Sequence, residues 1–153
     1  MSEPSGRTRG MLIGAPAIVG AIAAAVLMAA AGSAASCTEP SGGNACFGQA
    51  LTLVAVGVPV ALLVSWIVLA VFTGAWRGPV VTLGGAVVVA YALKLTTILV
   101  TTPDPPPVWV AAPLGAAGFA LVAAIFLPDL RNWQRWTVAA VALAVCVWGA
   151  NAP

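Results

Sequence analysis

The chain contains no histidine, and of its 153 residues only six are basic and four acidic. Without histidine, the commonest general base and metal ligand is missing. The four acids are Glu3, Glu39, Asp104 and Asp129, each in a different segment outside the apolar stretches. They fall two to a side, Glu39 with Asp104 and Glu3 with Asp129, so no more than two can gather without crossing those stretches. Glycine is plentiful, with 16 copies, yet none forms the G-x-x-x-x-G-K-[ST] loop that cradles phosphate. A net charge of +2 on scattered arginines builds no nucleic-acid surface. No cofactor is implied, and a catalytic role finds little to rest on.

What the chain has instead is apolar length. Hydrophobic residues make up 61%, charged residues 7%, and mean hydropathy is +1.06; soluble proteins carry about 25% charged residues. A hydrocarbon core of about 30 Å needs roughly 20 apolar residues in a helix. Four stretches meet that length: 11–35, 50–72, 79–101 and 108–127. A fifth, 133–150, spans only if Trp133, Arg135 and Trp136 lie at the interface with Arg135 snorkelling outward. The expected fold is all-α: a polytopic transmembrane helical bundle of five spans, with four the alternative, in one integral membrane domain covering 1–153. The lipid bilayer is its first partner.

Basic residues set the expected orientation. Arg7 and Arg9 precede the first span, Arg77 follows the second, and Arg131 and Arg135 follow the fourth. The segments 36–49 and 102–107 hold no Lys or Arg. By the positive-inside rule the arginine side is cytoplasmic, so the N-terminus is expected inside and residue 153 outside. The first span, with Arg7 and Arg9 before it and Ala34-Ala35-Ser36-Cys37 after it, resembles a secretory or lipoprotein signal. Its apolar run is longer than the roughly 7–15 residues of a usual signal core, and no large aliphatic residue stands three before Cys37. An uncleaved helix is expected. The Ala/Val/Gly-rich composition looks like that of small membrane proteins of high-GC bacteria, a diffuse resemblance that names no family and points to a bacterial cell membrane.

In lipid, helices associate through close packing and interhelical hydrogen bonds. Gly10, Gly14, Ala17, Ala21 and Ala25 predict a close-packing face on the first span, and Ala111–Gly115 with Ala112–Ala116 another on the fourth. Chance matches in so Ala-rich a chain are the alternative. Pro16 and Pro113 are read as lying near span entrances, where a missing N–H is tolerated. Pro59, inside the second span, is expected to kink the helix and free the Ala55 carbonyl.

Three positions could carry chemistry. Lys94 is the one charge deep inside a span, roughly 10 Å below the outer interface by helix rise, and such a group is a functional-site hypothesis by default. Tyr91, Lys94, Thr97 and Thr101 follow at three- or four-residue spacing and form one polar stripe. The Ala55 carbonyl is a plausible acceptor for the ammonium; a lysine that merely snorkels to the interface is the plainer reading. Cys37 and Cys46 share the outer segment 36–49 around a Pro-Ser-Gly-Gly turn and are expected to form a structural disulfide. A redox-active pair would call for C-x-x-C spacing, and here eight residues intervene. Cys146 reads as a buried apolar residue.

The leading functional reading is a small non-enzymatic multi-pass membrane protein, an accessory or interaction subunit with a membrane-protein partner or a homo-oligomer. The rival is a small oligomeric transporter or channel component that uses the Lys94 stripe. A membrane thiol-redox protein resting on Cys37 and Cys46 is weaker. Substrate and biological process are not legible in these residues.

Overall fold

The computed structural model describes residues 6–35, 48, 51–99, 106–127 and 130–152. The described residues form α-helices and no strand. They are α1 (Gly6–Ala35), a π-helical turn (Leu53–Gly57) that leads into α2 (Val58–Thr73), α3 (Arg77–Leu99), α4 (Val108–Ala124) and α5 (Asn132–Asn151). The chain is an α-helical membrane bundle, as its apolar stretches predict. Each of the five stretches holds one helix. Three segments, Gly10–Gly32, Leu53–Thr73 and Arg77–Leu99, are long and apolar enough to cross a membrane. α4 is shorter at 17 residues, about 26 Å at 1.5 Å per residue.

The helices are apolar on all sides and mostly uncovered. Only 17%, 11% and 33% of the three spanning windows is buried within the bundle. Ile18, Ile22, Val26, Ile67, Val71 and Leu143 are all exposed. In water such surfaces would drive aggregation; in lipid they are the expected solvent-facing surface. Tryptophans Trp76, Trp133 and Trp136 are exposed at one end of the bundle, Trp109 and Trp148 at the other. They sit where amphipathic rings anchor a span at the headgroups.

The core forms where small residues let backbones meet. α1 packs most extensively on α4, through Pro16, Gly20 and Ala24 against Gly115 and Phe119. A Cβ on Gly20 would lie 2.7 Å from Phe119 Cδ2, and one on Gly115 would lie 2.6 Å from the Ala24 Cβ. The face expected on α1 is therefore shifted. Gly10 and Gly14 look into open space, and the buried stripe is Pro16–Gly20–Ala24. On α4 the expected Ala111–Gly115 pair is buried, while Ala112 and Ala116 are half-buried. α3 meets α4 the same way, with Gly84 facing Val122, Gly85 facing Phe119 and Gly118 facing Val89.

The prolines also act differently from expectation. α1 begins at Gly6, so Pro16 lies well inside it, fully buried, and Pro113 lies inside α4. Pro59 stands at the start of α2, just after the π-helical turn, where the Val58 N–H bonds the Leu53 carbonyl. Proline lacks the N–H that would continue the ladder, and the wider turn absorbs that break. At the α2–α3 corner Gly74 has φ +100°, a conformation open to glycine and costly for other residues. There its N–H bonds the Ala70 carbonyl, and its carbonyl accepts from Arg77 and Gly78.

Candidate functional site

The Lys94 region lies where α3 meets the C-terminal end of α5. Gly149 is the buried residue of α5, and it lies against Tyr91: a Cβ there would be 2.8 Å from the Tyr91 Cβ and 3.1 Å from its carbonyl oxygen. One turn further along, the Lys94 ammonium donates to the Ala152 carbonyl at 2.8 Å. Positions 91 and 94 meet 149 and 152 in the same order, so α3 and α5 run parallel. Ala152 is the C-cap of α5, and its N–H bonds the Trp148 carbonyl.

The acceptor anticipated for Lys94 was Ala55, freed by Pro59; the acceptor found is Ala152. The physical reason is the helix end. The last carbonyls of a helix have no intrahelical donors, and the helix dipole makes that end partially negative. A cation on the adjacent helix satisfies both. Lys94 is exposed on the surface of the bundle, and its bond fastens the end of α5. The rest of the stripe is not drawn into one cluster with it. Thr97 Oγ1 donates to the Lys94 carbonyl at 2.8 Å and Thr96 Oγ1 to the Leu93 carbonyl at 2.8 Å. Thr101 lies outside the described residues, as do Cys37 and Cys46 with their expected disulfide. Cys146 is a free thiol, half-buried and packed against the apolar core.

The opposite end of the bundle gathers the basic residues. Leu12 of α1, Thr73 at the end of α2, Arg77 at the start of α3, and Phe126 and Leu127 after α4 line one small pocket. Trp76 meets Phe126 edge-on, with ring centroids 5.6 Å apart, and the Arg77 guanidinium stands 5.4 Å from the Trp76 centroid, within cation–π range. Arg135, expected to snorkel toward the interface, donates from Nη2 to the Leu127 carbonyl at 2.9 Å. It thereby closes the α4–α5 corner on carbonyls that a helix end leaves unpaired. Gln134 Oε1 accepts from the Arg131 N–H at 2.9 Å and starts α5.

One feature escaped the sequence reading. Between α1 and α2 runs an open apolar cleft of about 750 Å³, walled by Ile18, Ile22 and Val26 on one side and Val60, Val64 and Ser65 on the other. Among the described residues, Ser65 is the only polar side chain on its walls. The Gly57, Ala61, Ser65 spacing was a legible signal, hidden among many small-residue matches. Among the described residues no group of His, Cys, Asp or Glu could hold a metal ion. No family model matches the chain, and no curated protein or solved structure is significantly similar to it.

Proposed function

We propose that this chain is a non-catalytic multi-pass protein of a bacterial cell membrane, with a cytoplasmic N-terminus, that serves as an accessory or interaction subunit. The observation that carries the reading is the division of labour among its side chains. The polar groups Arg77, Lys94 and Arg135 are engaged at helix ends and corners, while the open α1–α2 cleft is almost wholly apolar. Such a surface offers lipid-embedded contact rather than bond chemistry. The orientation is supported by the end of the bundle that collects Arg77 and Arg135 together with the start of α1, which carries Arg7 and Arg9.

A transport role for the Lys94 stripe draws less support, because the Lys94 ammonium is used to hold the end of α5. Crosslinking in native membranes, followed by purification of the tagged chain, separates the two. The expected result is a covalent adduct with an integral membrane protein, a second copy included. A chain that stays free of adducts while conducting ions or solutes in liposomes would overturn the proposal.

A further inference from the structure

We infer that Arg77 and Trp76 form a site for the phosphate of an anionic phospholipid in the cytoplasmic leaflet, with the acyl chain of that lipid lying along the exposed side of α3. The inference goes beyond the interaction role proposed above and stands whether or not the chain has a protein partner. Its first support is a difference among the cations of the bundle. Lys94 donates to the Ala152 carbonyl and Arg135 to the Leu127 carbonyl. The Arg77 side chain is half-buried, yet among the described residues it makes no hydrogen bond or ion pair. Its contact is with the Trp76 ring, at 5.4 Å from the centroid. A cation–π contact draws on the charge and leaves the five N–H donors of the guanidinium without an acceptor.

Those donors suit a phosphate. The guanidinium is a rigid fork that binds two oxygens of one phosphate at once, and it does so best when an aromatic ring holds it in place. Trp76 is itself held, edge-on against Phe126 with ring centroids 5.6 Å apart. Arg77 therefore gives up less side-chain freedom on binding than an arginine free in solution. Trp76 is 63% exposed, so its ring is also available at headgroup level, where tryptophans anchor a span.

Charge selects the class of lipid. By sequence this end of the bundle carries Arg7, Arg9, Arg77, Arg131 and Arg135 against Glu3 and Asp129. Basic residues beside the membrane attract anionic headgroups. A zwitterionic headgroup offers the same phosphate, but its ammonium is repelled by the same arginines.

The surface below Arg77 suits the rest of the molecule. The pocket that Arg77 lines with Thr73 and Phe126 has about 10 Å³ of space, room for about one water, so the acyl chain does not enter it. The outer side of α3 takes the chain instead. Val80, Leu83 and Val87 follow Arg77 at three- or four-residue spacing and are all exposed, which makes one apolar strip on the helix. From Arg77 to Val87 is about 15 Å of helix at 1.5 Å per residue. That is half of a hydrocarbon core of about 30 Å, the depth of one leaflet. Charge and apolar strip thus come in the order in which a phospholipid presents its head and its chain.

The test uses the full chain in nanodiscs of equal parts phosphatidylglycerol and phosphatidylcholine, extracted into mild detergent, with retained lipids counted by native mass spectrometry. Phosphatidylglycerol is expected to be retained in preference. Arg77→Gln should lower that preference by about fivefold or more, and Arg77→Lys should keep part of it, because the charge stays and the fork is lost. Arg131→Gln removes the same charge at the exposed N-cap of α5 and should lower it by about twofold at most. Millimolar inorganic phosphate should not displace the lipid, since it has no acyl chain to lay on α3. A phosphatidylglycerol with a photoreactive group in its acyl chain should label residues 80–87 of the unmodified chain, a readout that holds even if Arg77→Gln fails to fold. Equal retention of the two lipids overturns the site, as does a preference that Arg131→Gln lowers as much as Arg77→Gln. Displacement by inorganic phosphate overturns the lipid as the ligand, and labelling spread evenly over the helices overturns the path along α3.

Discussion

Tyr91 and Gly149 touch so closely that a Cβ on Gly149 would lie 2.8 Å from the Tyr91 Cβ, and this contact is the seat of α5 on α3. The Lys94–Ala152 bond, one turn beyond, closes the same seam. Gly149→Val should therefore cost about 1–3 kcal/mol through overpacking. Lys94→Leu should cost only about 0.3–1 kcal/mol, the scale of an exposed cation at a helix C-terminus, and Lys94→Arg should retain most of it. Thermal unfolding in mild detergent reads all three. Pro59→Ala combined with Lys94→Leu should be additive within about 0.5 kcal/mol, since Lys94 bonds Ala152 and shares no partner with Pro59. A larger coupling would restore the Ala55 carbonyl as the acceptor.

Two glycines of α1 should separate packing from propensity. Gly14 has nothing within 4 Å of the position a Cβ would take, so Gly14→Ala should stabilise the helix by up to about 1 kcal/mol. Gly20→Ala would press on Phe119 and the Gly115 carbonyl and should cost about 1–3 kcal/mol. Unfolding midpoints of the two variants should shift in opposite directions; equal shifts would remove the α1–α4 seam as the centre of the core.

Orientation can be read by reporter fusions. Junctions after Arg9, Trp76 and Arg131 should report cytoplasm, and junctions at Gly43, Pro106 and Pro153 should report the outside, because the arginines bias one side. A cytoplasmic Pro153 would leave α5 off the membrane path and reduce the chain to four spans.

Thiol chemistry tests the outer segment. Alkylation of the non-reduced protein should spare Cys37 and Cys46, and reduction should expose both, as for a structural disulfide outside the cytoplasm. Cys146, half-buried against the core, should label slowly in either state. Ready labelling of Cys37 and Cys46 without reductant would remove the bridge.

Composition and run length by themselves determined that this is a helical membrane protein and where its five helices lie, because apolar runs near 20 residues have few other stable forms in lipid. The singular position of Lys94 was equally plain. Tertiary structure decided which faces meet. On α1, small residues occur on every side, so pattern alone pointed to Gly10–Gly14–Ala17, while the shape of Phe119 and the backbone of Gly115 selected Pro16–Gly20–Ala24. The partner of Lys94 was illegible for a related reason. Its acceptor is a backbone carbonyl 58 residues further along the chain, and any residue can supply a carbonyl. Side-chain type predicts a donor's need, but only the docking of α5 through Gly149 brings that carbonyl within reach.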